Sequence, residues 1–74
     1  MDNALKDPVE CYSGGIYAER PRALTWEGRR LEVEYIISRW RTPGKRGFKV
    51  RVTGGQRFDL TYDEGRDAWL IQPV

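Results

Sequence analysis

The sequence predicts an all-β protein, a five-stranded antiparallel meander curled into a small SH3-like or partly open barrel. Three observations carry this. Gly (8) and Pro (4) punctuate the 74 residues so that no apolar stripe of helical period runs beyond about two turns. The segments between them alternate apolar and polar residues with a period of two, as half-buried strands do. With no helix to cover its apolar face, a sheet of this size has to fold over on itself.

The strands fall at about residues 21–26, 30–41, 46–53, 56–63 and 67–72, and Val9 to Tyr12 is a candidate for a short edge strand. Residues 1–8 read as a flexible N-terminal tail and 9–74 as one small β domain. Leu31, Val33 and Tyr35 alternate with Arg30, Glu32 and Glu34; Phe48, Val50 and Val52 alternate with Lys49 and Arg51; Phe58, Leu60 and Tyr62 alternate with Arg57, Asp59 and Thr61. Short connections make these strands consecutive hairpins.

Parity tests the register, because residues paired across an antiparallel ladder share a face. A two-residue turn at Glu27-Gly28 pairs Leu24 with Leu31 and Thr25 with Arg30, which is consistent. At Gly54-Gly55 a two-residue loop would set Val52 against Arg57 and Arg51 against Phe58, so a three-residue loop is required. Thr53-Gly54-Gly55 and Gly54-Gly55-Gln56 both satisfy parity. The second strand changes phase: Leu31, Val33, Tyr35 and Ile37 share one parity, Ile36 and Trp40 the other. A bulge or bend near Ile36-Ile37 would turn both sets toward one interior and curl the sheet.

Composition removes most catalytic chemistry. The chain has no His and one Cys, so it lacks the usual general base, the usual metal ligand and any disulfide or zinc framework. Ser13 and Ser38 have no His to activate them, and no phosphate-binding loop or dinucleotide fingerprint is present. Ser13-Gly14-Gly15 reads as a turn, Asp63-Glu64-Gly65-Arg66-Asp67 as a hairpin turn rather than a calcium loop, and Glu32 and Glu34 as a solvated pair offsetting nearby arginines. No enzyme activity, cofactor or metal is expected. The longest apolar run, Tyr35-Ile36-Ile37, is far short of the ~20 residues that span a bilayer. A cytoplasmic location is expected, with Cys11 an inert thiol of a reducing compartment.

The net charge of +2 conceals a strong segregation. Residues 1–38 carry five basic and seven acidic groups, residues 39–57 seven basic and none acidic, and residues 58–74 one basic and four acidic. The basic segment consists of Arg39, Arg41, Lys45, Arg46, Lys49, Arg51 and Arg57. Lys49 and Arg51 point away from the Phe48, Val50, Val52 face, Arg57 joins them, and Lys45 and Arg46 belong to the neighbouring Thr42-Pro43-Gly44 loop. One outer face with its loop would thus present the cations that a polyanion needs. Trp40, between Arg39 and Arg41, is the candidate platform for base stacking, although a strand-end tryptophan also suits a core. A DNA- or RNA-binding module is one reading; the other is a protein-interaction domain using an edge strand or the Trp40 region.

The pattern Val9-Glu10-Cys11-Tyr12-Ser13-Gly14, Glu19-Arg20-Pro21, Gly28, Val33-Glu34, Arg39-Trp40, Phe48-Lys49-Val50-Arg51, Gly54-Gly55 and Trp69 resembles a bacterial family of short, uncharacterised proteins. The likeness runs from about residue 9 to the C-terminus. The resemblance implies a stand-alone β domain, and, since some members are encoded beside error-prone Y-family DNA polymerases, a DNA-repair or polymerase protein as a partner. It supplies no catalytic residue. The chain departs from the family at the Gly-Gly turn, where Val52-Thr53 replace the usual acidic residues and the loop is shorter.

Overall fold

A computed structural model of the chain describes residues 8–12 and 20–74. Residues 1–7 of the tail expected over residues 1–8 and the turn expected at Ser13-Gly14-Gly15 lie outside the described residues, and the Pro8 carbonyl accepts from the Thr25 N–H at 2.8 Å. Six strands form one antiparallel meander: β1 (Val9–Cys11), β2 (Pro21–Trp26), β3 (Arg29–Thr42), β4 (Lys45–Val52), β5 (Arg57–Asp63) and β6 (Ala68–Pro73), hydrogen-bonded in that order. The meander curls into a half-barrel, so the small, partly open SH3-like architecture predicted from the sequence is the one observed, with Val9–Cys11 added as its edge strand. No helix among the described residues is long and apolar enough to cross a membrane.

Turn chemistry fixes the pairing. Glu27 and Gly28 both adopt positive φ, 51° and 79°, which is the two-residue turn whose twist matches a hairpin, and Leu24 pairs with Leu31 and Thr25 with Arg30 as parity required. Pro43-Gly44 connects β3 to β4, with Gly44 at φ 78° where that turn needs it. At the next turn Arg51 pairs with Arg57 and the Val52 N–H donates to the Gln56 carbonyl at 2.9 Å, so the loop is Thr53-Gly54-Gly55.

β3 bends at two places. Its pairing with β4 slips between Val33 and Tyr35 and again between Ile36 and Ser38, so Glu34 and Ile37 are extra residues. The second slip is the bend expected near Ile36-Ile37. The first was not expected, and it corrects the predicted facing: Tyr35 and Ile37 are exposed, while Leu31, Val33 and Ile36 pack on the core.

The core lies between the two halves of the bent sheet. Val9 and Leu24 from β1 and β2 close over Phe48, Val50, Val52, Phe58 and Leu60 from β4 and β5. Trp26 meets Phe58 edge to face, with ring centroids 5.6 Å apart, and Trp69 stacks obliquely on Tyr62 at 5.0 Å. On the outside of the β1–β3 half, the Arg30 guanidinium bridges Glu10 through two bonds of 2.8 and 2.9 Å and reaches Glu32 at 3.0 Å. Glu10 and Glu32 are both paired with Ala23, which is 0% exposed, so the bridge closes over a fully buried methyl.

Two measurements follow. A domain of this length has about 4–11 kcal/mol of stability in total. Truncating the fully buried Phe58 is expected to remove about 3–5 kcal/mol, so Phe58→Ala should lower the urea midpoint by at least about a quarter. A loss below about 1 kcal/mol would show that the two halves do not share this core. The second concerns Glu10, whose hydrogen bonds to Arg30 hold its carboxyl below the usual range near 4.5. A depressed folded-state pKa stabilises above the unfolded value and is lost as pH falls through the folded one. The protection of the Val9–Cys11 amides, taken relative to their intrinsic exchange at each pH, should therefore fall on acidification below about pH 4.5, and Glu10→Gln should abolish that acid dependence.

Candidate nucleic-acid interface

The ladder of β4 with its neighbours assigns each cation to a face. Phe48, Val50 and Val52 face the core, so Lys45, Gly47, Lys49 and Arg51 face outward, and Arg46 shares the inner side. Register carries the assignment to β3 and β5. Trp40 pairs with Gly47 and Arg57 with Arg51, on the outer face; Arg39 pairs with Phe48 and Arg41 with Arg46, on the inner side of the strand.

The basic segment is thus divided, which corrects the expectation of a single cationic face. Lys45, Lys49, Arg51, Arg57 and Trp40 share the outer face. Arg39, Arg41 and Arg46 do not. Lys45 and Arg46 are also strand residues of β4, not loop residues, because the turn consists of Pro43 and Gly44 alone.

Acidic residues from the flanking segments return beside the cations. The Arg46 guanidinium donates to Glu64 at 3.0 Å with a largely buried side chain, the Lys49 ammonium is 3.9 Å from Asp59, and Arg51 is 3.4 Å from Glu34. The seven positive charges of the sequence segment are therefore not seven on the surface. Arg39, Arg41, Lys45 and Arg57 make no ion pair among the described residues. Arg57 stands directly opposite Arg51, an unfavourable like-charge pair that Glu34 offsets from one side. Glu32 and Glu34 each face an arginine, as a solvated charge-balancing pair should. In the turn after β5, the Asp63 carboxylate accepts from the Gly65 and Arg66 N–H groups at 3.0 and 3.2 Å, the local hydrogen bonding of a hairpin loop.

The tryptophan has a specific seat. A Cβ placed on Gly47 would lie 1.9 Å from Trp40 Cε2 and 2.2 Å from its Nε1, so the indole occupies the space that any side chain at position 47 would take. Gly47 is buried beneath it, while Trp40 keeps 41% of its surface exposed. Along β4 the outward series is then Lys45, an indole lying on Gly47, Lys49 and Arg51. Successive outward positions are about 6.8 Å apart. Thr61 and the exposed Leu70 continue the Trp40–Gly47 row across β5 and β6.

Sequence reasoning singled out Trp40 and missed Gly47. The signal was present: a two-residue turn at Pro43-Gly44 sets Thr42 against Lys45 and, counting back, Trp40 against Gly47. Among the described residues no group of three or more His, Cys, Asp or Glu is placed to hold a metal ion. No family model, no curated protein and no solved structure matches the chain.

Gly47→Ala tests the seat directly. The added methyl must expel the indole, since its nearest contacts are ring atoms held against the sheet. With 5-fluorotryptophan incorporated, one of three fluorine resonances, that of Trp40, should move toward the solvent-exposed position while those of Trp26 and Trp69 stay in place. Unchanged resonances would mean that the ring does not rest on Gly47.

Proposed function

We propose that the protein is a non-enzymatic, cytoplasmic binding module that holds nucleic acid on the outer face of β3–β5, contacting phosphates with little preference for sequence. The observation that carries this reading is the Lys45, Trp40-on-Gly47, Lys49 row. An exposed indole backed by glycine offers a base a flat apolar surface, and an ammonium group on either side can meet the phosphates flanking that base. Arg51 extends the positive track along β4, and Arg57 widens it onto β5. Stacking of this kind tolerates any base, because every base has a π-face, and cations alone carry no sequence information. The resemblance to proteins encoded beside Y-family polymerases agrees with a role on DNA next to a repair or polymerase protein.

The test is fluorescence anisotropy with a labelled oligothymidylate and with its duplex, across a series of salt concentrations. Four phosphate contacts predict a single-strand salt slope of about −3, and Lys49→Glu with Arg57→Glu should lower its magnitude by about 1.4. Trp40→Ala should cost about 1–3 kcal/mol on the single strand and much less on the duplex, whose bases are already stacked. Absence of binding at low salt would overturn the reading.

A further inference from the structure

Among the described residues, β3 has an edge without a partner strand that the outer-face reading does not use. β2 pairs with β3 only from Arg29 to Glu32, and from Val33 onward β4 occupies just one side. On the side that β2 has left, no described residue pairs with the backbone of Ser38 to Thr42. This segment is regular: Ser38 through Thr42 pair with Lys49 through Lys45 without a slip, and the bulge at Ile37 marks its start. Unpaired, regular backbone of this kind is a template for a further strand.

The side chains along the edge select what that strand can be. Arg39 and Arg41 are two apart and share a side, and neither has an acidic partner among the described residues. Glu64, the carboxylate near them, is taken by Arg46. A hollow of about 360 Å³ beside these arginines is bordered by Arg39, Trp40 and Arg41 of β3 and by Arg46 and Phe48 of β4. We infer that Ser38–Thr42 accepts an extended acidic segment of another protein as an added strand, with acidic side chains at alternate positions facing Arg39 and Arg41 and an apolar one between them beside Trp40. Main-chain bonds supply attraction and the alternating side chains supply choice. The same two arginines repel a basic strand, and they oppose a second copy of this edge, since two-fold pairing about Trp40 would set Arg39 against Arg41. Nucleic acid lacks the amide ladder that the edge requires. The inference therefore stands apart from the outer-face reading.

The probe is a fluorescein-labelled Glu-Val-Glu-Val-Glu peptide with its Gln-Val-Gln-Val-Gln counterpart, followed by anisotropy and by amide exchange. The acidic peptide is expected to bind about two- to thirtyfold more tightly than the glutamine version and to protect amides in Ser38–Thr42. Arg39→Glu with Arg41→Glu should abolish binding, Arg39→Gln with Arg41→Gln should weaken it in a chain whose circular dichroism is unchanged, and Lys49→Glu with Arg57→Glu should leave it intact. Equal binding of the two peptides, unprotected Ser38–Thr42 amides, or equal loss in the Lys49 and Arg57 variant would overturn the inference. So would protection of the same amides at rising protein concentration without peptide, which would assign the edge to a second copy.

Discussion

The rest of the molecule depends on the double bend of β3. A single strand of 14 residues serves two partners in succession, first β2 and then β4, because two extra residues at Glu34 and Ile37 turn its direction. Without those slips the sheet would run flat, and Val9, Leu24 and Trp26 could not reach across to Phe48, Val50 and Phe58. The bulges are thus the means by which a chain with no helix among its described residues obtains two layers. The cost is a ladder broken twice, and it is offset by apolar area that a flat sheet would leave in water.

The bend also sorts the surface. Upstream of it, the Glu10–Arg30–Glu32 bridge balances its own charge over Ala23. Downstream, β3 presents Trp40 outward and Arg39 and Arg41 to the other side, so adjacent residues in sequence serve opposite surfaces. Arg46 illustrates the difference between a charge in the sequence and a charge available to a ligand: its side chain is mostly covered and already donates to Glu64. Lys45 and Arg57 sit on the antiparallel neighbours β4 and β5 and keep their charge free of acidic partners among the described residues.

How much of this was legible in the sequence differs by level. The strands, their order and the Glu27-Gly28 register followed from period-two alternation and turn residues, because those signals are local. The two admissible loops at Gly54-Gly55 could not be separated by parity, since both keep Val52 facing the core; the Val52–Gln56 hydrogen bond distinguishes them. The slip at Glu34 left no local trace, because Tyr35 and Ile37 continue the period-two series that Leu31 and Val33 begin. For the site, Trp40 was visible as a residue type, but its seat was not, because a glycine in a strand reads as a gap until its cross-strand partner is known. Arg46 was misplaced for the opposite reason: assigning it to a loop hid the parity it shares with Phe48.

The meander has a consequence for how the molecule comes to be folded. Every strand pairs with its neighbour in sequence, so most native contacts close short loops, and the chain entropy lost before each is rewarded is small. All-β proteins that must join distant strands fold slowly; this topology lies toward the fast end of its class. The longest connection between paired strands lies between β1 and β2, so the β2–β6 ribbon can zip hairpin by hairpin and the first strand can dock last, as a latch on a finished sheet.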